Sequence, residues 1–155
     1  MVMDKLSNRS VSTLSDAEKL TLANIYLQDR RYSEALSFYD ELCDRNPNRF
    51  VYQFGRGASA GFLLSGTPSF RSLRYVVQLR TSFEAAVRLQ PNAIDARRAL
   101  LNIYLGLPRL LGGSKAKAKQ QLKAIQLINP LEGALAGVIY AIKTNDQSVF
   151  DQQAQ

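Results

Sequence analysis

The sequence predicts an all-α fold built as a stack of antiparallel helix pairs, about seven helices in total. Three observations carry that prediction. Apolar residues recur at helical spacing along most of the chain, and no segment alternates with the period of two that a half-buried strand requires. Proline closes three similar apolar patterns: Leu22, Ala23, Tyr26, Ala35 and Tyr39 before Pro47, Phe83 and Ala86 before Pro91, and Ala118, Leu122 and Ile125 before Pro130. Each proline follows Asn or Gln, so the same helix-stopping chemistry returns at the same place in the pattern.

Residues 1–13 are polar and read as a flexible leader to a helical domain over 14–146. Ser15 is an N-cap, and Glu18 three residues on completes a capping box, so a helix is expected from there to about Gln28. Asp29-Arg30-Arg31 makes a tight turn. Tyr32–Arg45 follows as a helix with Ala35, Leu36, Tyr39 and Leu42 on one face, stopped by Asn46-Pro47-Asn48. The helix expected over Arg49–Leu64 carries the small residues Gly57, Ala58, Ser59, Ala60 and Gly61. Glycine costs a helix about 1 kcal/mol per residue, so this run predicts close helix packing or the floor of a groove.

Ser65–Ser69 reads as a turn, and a helix of about twenty residues then runs from Ser69 to Leu89. Asn92 is the expected cap of the next helix, with Asp95 in its first turn and Ala99, Leu100, Ile103 and Tyr104 along it. Leu107–Gly113 is an apolar loop with strong helix breakers. Ser114 caps Lys115–Ile128, Asn129-Pro130 closes it, and a last helix is expected over about Glu132–Lys143. Residues 147–155 are a polar tail in which Val149 and Phe150 are expected to tuck against the final turn.

The chain has a net charge of +7, unevenly placed: residues 1–47 carry 6 basic and 8 acidic side chains, and the rest carry 14 and 5. A basic second half suits an acidic peptide, RNA or an anionic membrane surface, and equally a solvated face with no partner. The single cysteine, Cys43, forbids an internal disulfide and reads as a structural thiol. There is no histidine for a metal or general-base site, and Gly112-Gly113-Ser114-Lys115 lacks the spacing of a phosphate loop. The carboxylate pair Asp40-Glu41 reads as part of a solvated helix face. An enzyme is therefore not expected, nor is a cofactor. No stretch has the length and apolarity of a signal peptide or a transmembrane span, so a cytoplasmic location is expected.

Leu22-Ala23, Tyr26, Ala35, Tyr39 and Pro47 together resemble the tetratricopeptide repeat (TPR), a 34-residue helix-turn-helix unit, with Lys19 where that repeat usually has tryptophan. The units run about 16–49, 50–93 and 94–132, followed by a capping helix at 132–143. The second unit exceeds the family length by ten residues, and the third by five, in the Pro108–Ser114 loop. The resemblance implies a right-handed superhelical stack and a non-catalytic adaptor or scaffold that binds a protein or peptide.

By position, it implies a groove lined by Leu20, Asn24, Leu27 and Gln28, then Val51, Phe54, Ala58 and Phe62, then Arg98, Asn102 and Leu105. Phe54 and Phe62 have the alternative of packing between helices. Two further surfaces are candidates. Leu107, Pro108, Leu110 and Leu111, with the last helix, would serve self-association. Arg71, Arg74, Arg80 and Arg88 with Lys115, Lys119 and Lys123 would serve nucleic acid or another polyanion.

Overall fold

The computed structural model describes residues 10–66 and 69–145, with the backbone alone at 69–71. The start of the leader, Thr67 and Pro68 of the expected turn, and the tail with Val149 and Phe150 lie outside the described residues. Among those described there are seven α-helices and no strand: α1 Asp16–Gln28, α2 Tyr32–Arg45, α3 Phe50–Ser65, α4 Ser69–Leu89, α5 Ile94–Gly106, α6 Lys115–Ile128 and α7 Pro130–Thr144. Short 3-10 turns at Val11–Thr13 and Arg109–Leu111 complete the described structure. The chain forms two compact units, Met1–Ala85 and Ala86–Gln155.

In the first unit α1 packs antiparallel to α2 and α2 to α3, while α1 also touches α3. Ser15 makes the full capping box: its hydroxyl accepts from the Glu18 amide, and the Glu18 carboxylate accepts from the Ser15 amide at 2.8 Å. The α1–α2 turn puts Arg30 in the left-handed region (φ 60°) and returns the Arg31 amide to the Tyr26 carbonyl at 2.8 Å. Ala23 and Ala35 are fully buried, so the helices meet at their small residues around Tyr39, Leu42, Cys43 and Tyr52. The small run of α3 is a packing surface. A Cβ on Gly57 would lie 2.8 Å from the Phe83 ring, and one on Gly55 would lie 2.1 Å from the Tyr39 ring.

Two features of this unit depart from the sequence reading. Lys19 is 1% exposed and its ammonium is paired with Glu41 of α2, which also meets Arg45 at 3.5 Å. A buried charge persists only when paired, so the residue at the usual tryptophan position joins α1 to α2 through an ion pair. Nor is Asp40 simply solvated. It accepts from Gln78 at 2.9 Å and from Arg74 at 3.3 Å, which ties α2 to α4.

In the second unit α5 packs on α6, α6 on α7, and α5 touches α7. Helix α5 begins at Ile94 after Ala93, with no side-chain cap, so Asn92 is not its N-cap. The last helix starts at Pro130 rather than Glu132. Asn129 ends α6 and also caps α7, accepting from the amides of Leu131 at 3.0 Å and Glu132 at 3.2 Å. Proline at the first helical position has no amide to leave unsatisfied, so the residue that stops one helix starts the next.

Candidate peptide-binding surface and basic cavity

Leu20, Asn24, Leu27 and Gln28 follow i, i+4, i+7, i+8 spacing and share one face of α1. Asn24 and Gln28 are exposed, and Leu20 and Leu27 are half-buried. On α3, Val51 is 44% and Phe62 53% exposed, while Phe54 and Ala58 are half-buried. Phe54 lies tilted against Phe50 at 5.5 Å and edge-on to Phe83 at 5.3 Å, which commits its ring to packing. Phe62 stacks on Tyr32 of α2 at 4.6 Å and keeps about half its surface.

The Tyr39 hydroxyl donates to Asn24 Oδ1 at 2.5 Å. Burial pushes the Tyr39 phenol up to about 12, so it stays a neutral donor beyond the pH at which a free phenol ionises. With its carbonyl oxygen so held, Asn24 has its two amide N–H donors left on an exposed helix face.

The third group of groove residues is in the second unit. Arg98 donates to Glu132 at 3.0 Å and to Asp95 at 2.6 Å. Asn102 donates to the Arg98 carbonyl and accepts from Lys143 Nζ, both at 3.0 Å, and Leu105 is half-buried. Arg98 and Asn102 thus join α5 to α7.

The Leu107–Leu111 segment is a braced turn. Gly113 donates to the Pro108 carbonyl at 3.0 Å and Ser114 to the Tyr104 carbonyl at 2.9 Å. Gly112 sits at φ 99°, and a Cβ on Gly113 would fall 1.8 Å from the Leu107 carbonyl oxygen, so both positions require glycine. Leu107 and Leu111 are half-buried, Pro108 is exposed and Leu110 is 98% exposed. Beside the turn lies a cavity of about 520 Å³ lined by Tyr104, Leu105, Leu107, Arg109, Gly113, Ser114, Lys115 and Lys143.

Among the polyanion candidates, Arg74 is held by Asp40 and Arg80 pairs with Glu84 at 3.3 Å. Arg88 is exposed, and the Arg71 side chain lies outside the described residues. Lys115, Lys119 and Lys123 step by four along the exposed face of α6, and Lys117 lies 5.5 Å from the Tyr104 ring centre.

Sequence reasoning missed Arg109 and Lys143, which join Lys115 around the cavity from separate elements of the second unit. It also missed a 340 Å³ cavity lined by Ser33, Leu36, Ser37, Asp40, Leu63, Arg74 and Tyr75. The i, i+4, i+7 spacing of Ser33, Ser37 and Asp40 was the available signal. Cys43 is buried, and burial pushes its thiol up to about 11, the signature of an inert structural cysteine. Among the described residues no group of His, Cys, Asp or Glu could hold a metal ion, and no helix is long and apolar enough to cross a membrane.

No family model matches the chain, and no curated protein matches it. Solved structures do. A thermophilic TPR protein from Thermus thermophilus superimposes with a TM-score of 0.59 at 16% identity, over 90% of this chain and 80% of that one. YrrB, a TPR protein with an unusual peptide-binding site, aligns with a TM-score of 0.41 at 17% identity, over 96% and 85% of the two chains. The Thermus protein supplies the fold: consecutive antiparallel helix pairs of the TPR kind.

Proposed function

We propose that the chain is a non-catalytic protein-binding module that receives a peptide segment on the α1–α3 surface of its first unit. The observation behind this reading is the Tyr39–Asn24 hydrogen bond at 2.5 Å. It fixes an asparagine on an exposed face of α1 with its N–H donors outward; Leu20 and Leu27 share that face, and Val51 and Phe62 are partly exposed on α3. An asparagine held in this way reads a backbone carbonyl, and the apolar neighbours take side chains of either flank. The rigid donor also lowers the ordering cost of binding.

The test is selection of peptides from a random display library against the full chain, followed by titration calorimetry. Asn24→Ala is expected to weaken the selected peptides by about tenfold, or 1.4 kcal/mol. Equal affinity for the wild type, Asn24→Ala and Phe62→Ala would refute this surface.

A second reading has its own observation, the convergence of Arg109, Lys115 and Lys143 on the 520 Å³ cavity with no acidic residue in the lining. These groups, with Lys119 and Lys123, suit a polyanion such as RNA. Retention of single-stranded RNA on filters should then fall steeply between ~50 and ~200 mM salt. Absent or salt-insensitive retention would end this reading.

A further inference from the structure

Helix α7 turns four large apolar side chains to solvent: Leu131, Leu135, Val138 and Ile142 are 71, 53, 39 and 73% exposed. Steps of four, three and four place them in one narrow stripe, away from the buried Gly133, Ala136, Gly137 and Tyr140. This is the spacing of a seam between two helices. The ten residues after Asn145 contain only Val149 and Phe150 as large apolar side chains, two against a stripe of four.

We propose that two copies of this chain associate through the α7 stripe, with their α7 helices antiparallel about a two-fold axis midway between Leu135 and Val138. Three features of α7 select a second copy and that orientation. First, the 4-3-4 spacing reads the same from either end. An antiparallel copy therefore brings Leu131 opposite Ile142, and Leu135 opposite Val138, at both halves of an isologous contact. Second, Glu132 and Lys143 lie on the same flank of the stripe at its two ends. Antiparallel pairing faces this flank with itself and sets each glutamate beside a lysine of the other copy, whereas parallel pairing faces it with the opposite flank and makes no such pair. Both groups keep capacity for this: Arg98 takes one Glu132 oxygen, and Asn102 takes one of the three Lys143 donors. Third, the opposite flank carries the small residue Ala134, which lets two helices approach.

The stripe covers eleven residue steps, about 16 Å. That falls short of the roughly 800 Å² per partner of a standard interface, so the dimer is a concentration-dependent one.

Sedimentation of the full chain from ~1 to ~500 µM should move from the 17.3 kDa monomer toward twice that mass, with a dissociation constant in the micromolar range. Leu135→Glu, at an exposed position, should keep native helicity by circular dichroism and raise the dissociation constant at least ~100-fold. Single cysteines test orientation, since native Cys43 is buried. Val138→Cys lies about 4.5 Å along the axis from its counterpart and should form a disulfide-linked dimer. Leu131→Cys lies about 16 Å from its own and should not.

A monomer at every concentration, with no Val138→Cys product, overturns the proposal. Equal cross-linking at positions 131 and 138 overturns the antiparallel arrangement. Dimerisation that emerges only after removal of residues 146–155 makes that segment the occupant and also overturns it.

Discussion

A single methyl group on Gly55 should destabilise the first unit, although alanine is the better helix former. A Cβ there would lie 2.1 Å from Tyr39 Cε1 and 2.2 Å from Cζ, where relaxed carbon contacts are about 3.5–4.0 Å. The ring must move by more than an ångström. It is 1% exposed, so it has no free volume to enter, and its hydroxyl is fixed to Asn24. Overpacking of this kind costs about 1–3 kcal/mol, and loss of the Tyr39–Asn24 hydrogen bond adds about 1 kcal/mol. The helix-propensity gain returns about 1 kcal/mol. A net loss of about 1–3 kcal/mol is expected for Gly55→Ala.

Gly106→Ala is the control, because nothing lies within 4 Å of the Cβ it would add. It should be neutral or stabilising by up to about 1 kcal/mol. Urea unfolding followed by far-UV circular dichroism reads both. Tyr39→Leu removes the obstructing ring, so in the double mutant Gly55→Ala should cost at least ~1 kcal/mol less than in the wild type. A Gly55→Ala protein as stable as the wild type, or additive effects in the cycle, would refute the packing argument.

Two further outcomes follow from the core of the first unit. Glu41→Gln should cost about 1–3 kcal/mol because it leaves the buried Lys19 ammonium without its charge partner, whereas Lys19→Met should be nearly neutral; equal losses in urea unfolding would contradict the pairing. Cys43 should resist a thiol reagent at pH 8 in the native state and react on unfolding, and immediate native reaction would contradict its burial. Burial pushes its folded thiol up to about 11, above the unfolded value. The unfolded state therefore loses its proton first, and stability should fall as pH rises from about 9 to 11, by up to about 1.4 kcal/mol per pH unit.

The helices were legible because their signals are local. Ser15 with Glu18, Ser114, and the three prolines each act within one turn of chain: α1 and α6 begin, and α2, α4 and α6 end, where those residues direct. Asn92 misled because Asn favours caps generally, whereas here Ala93 takes the position and leaves its helix without a side-chain cap. Contacts between helices were harder to read. Lys19 and Glu41 are each ordinary surface residues by type, and only their meeting across 22 positions buries the lysine. The phase of Phe54 and Phe62 had the same character: both fit a groove by spacing, and the aromatic partners Phe83 and Tyr32 decide how much of each ring is left. Arg109, Lys115 and Lys143 had no shared sequence signal, because a turn and two helices bring them to one cavity.

Asn129 has a consequence for how the second unit tolerates change. One residue both terminates α6 and caps α7, so the joint has no slack to take up a length difference. Inserting or deleting one residue in the last turn of α6 would rotate everything after it by about 100°. Leu131, Leu135, Val138 and Ile142 would then swing away from their present direction while the helix itself stayed intact. The joint at 129 behaves as a key that sets angle, and a change in length is expected to be tolerated in the Leu107–Gly113 turn before it is tolerated there.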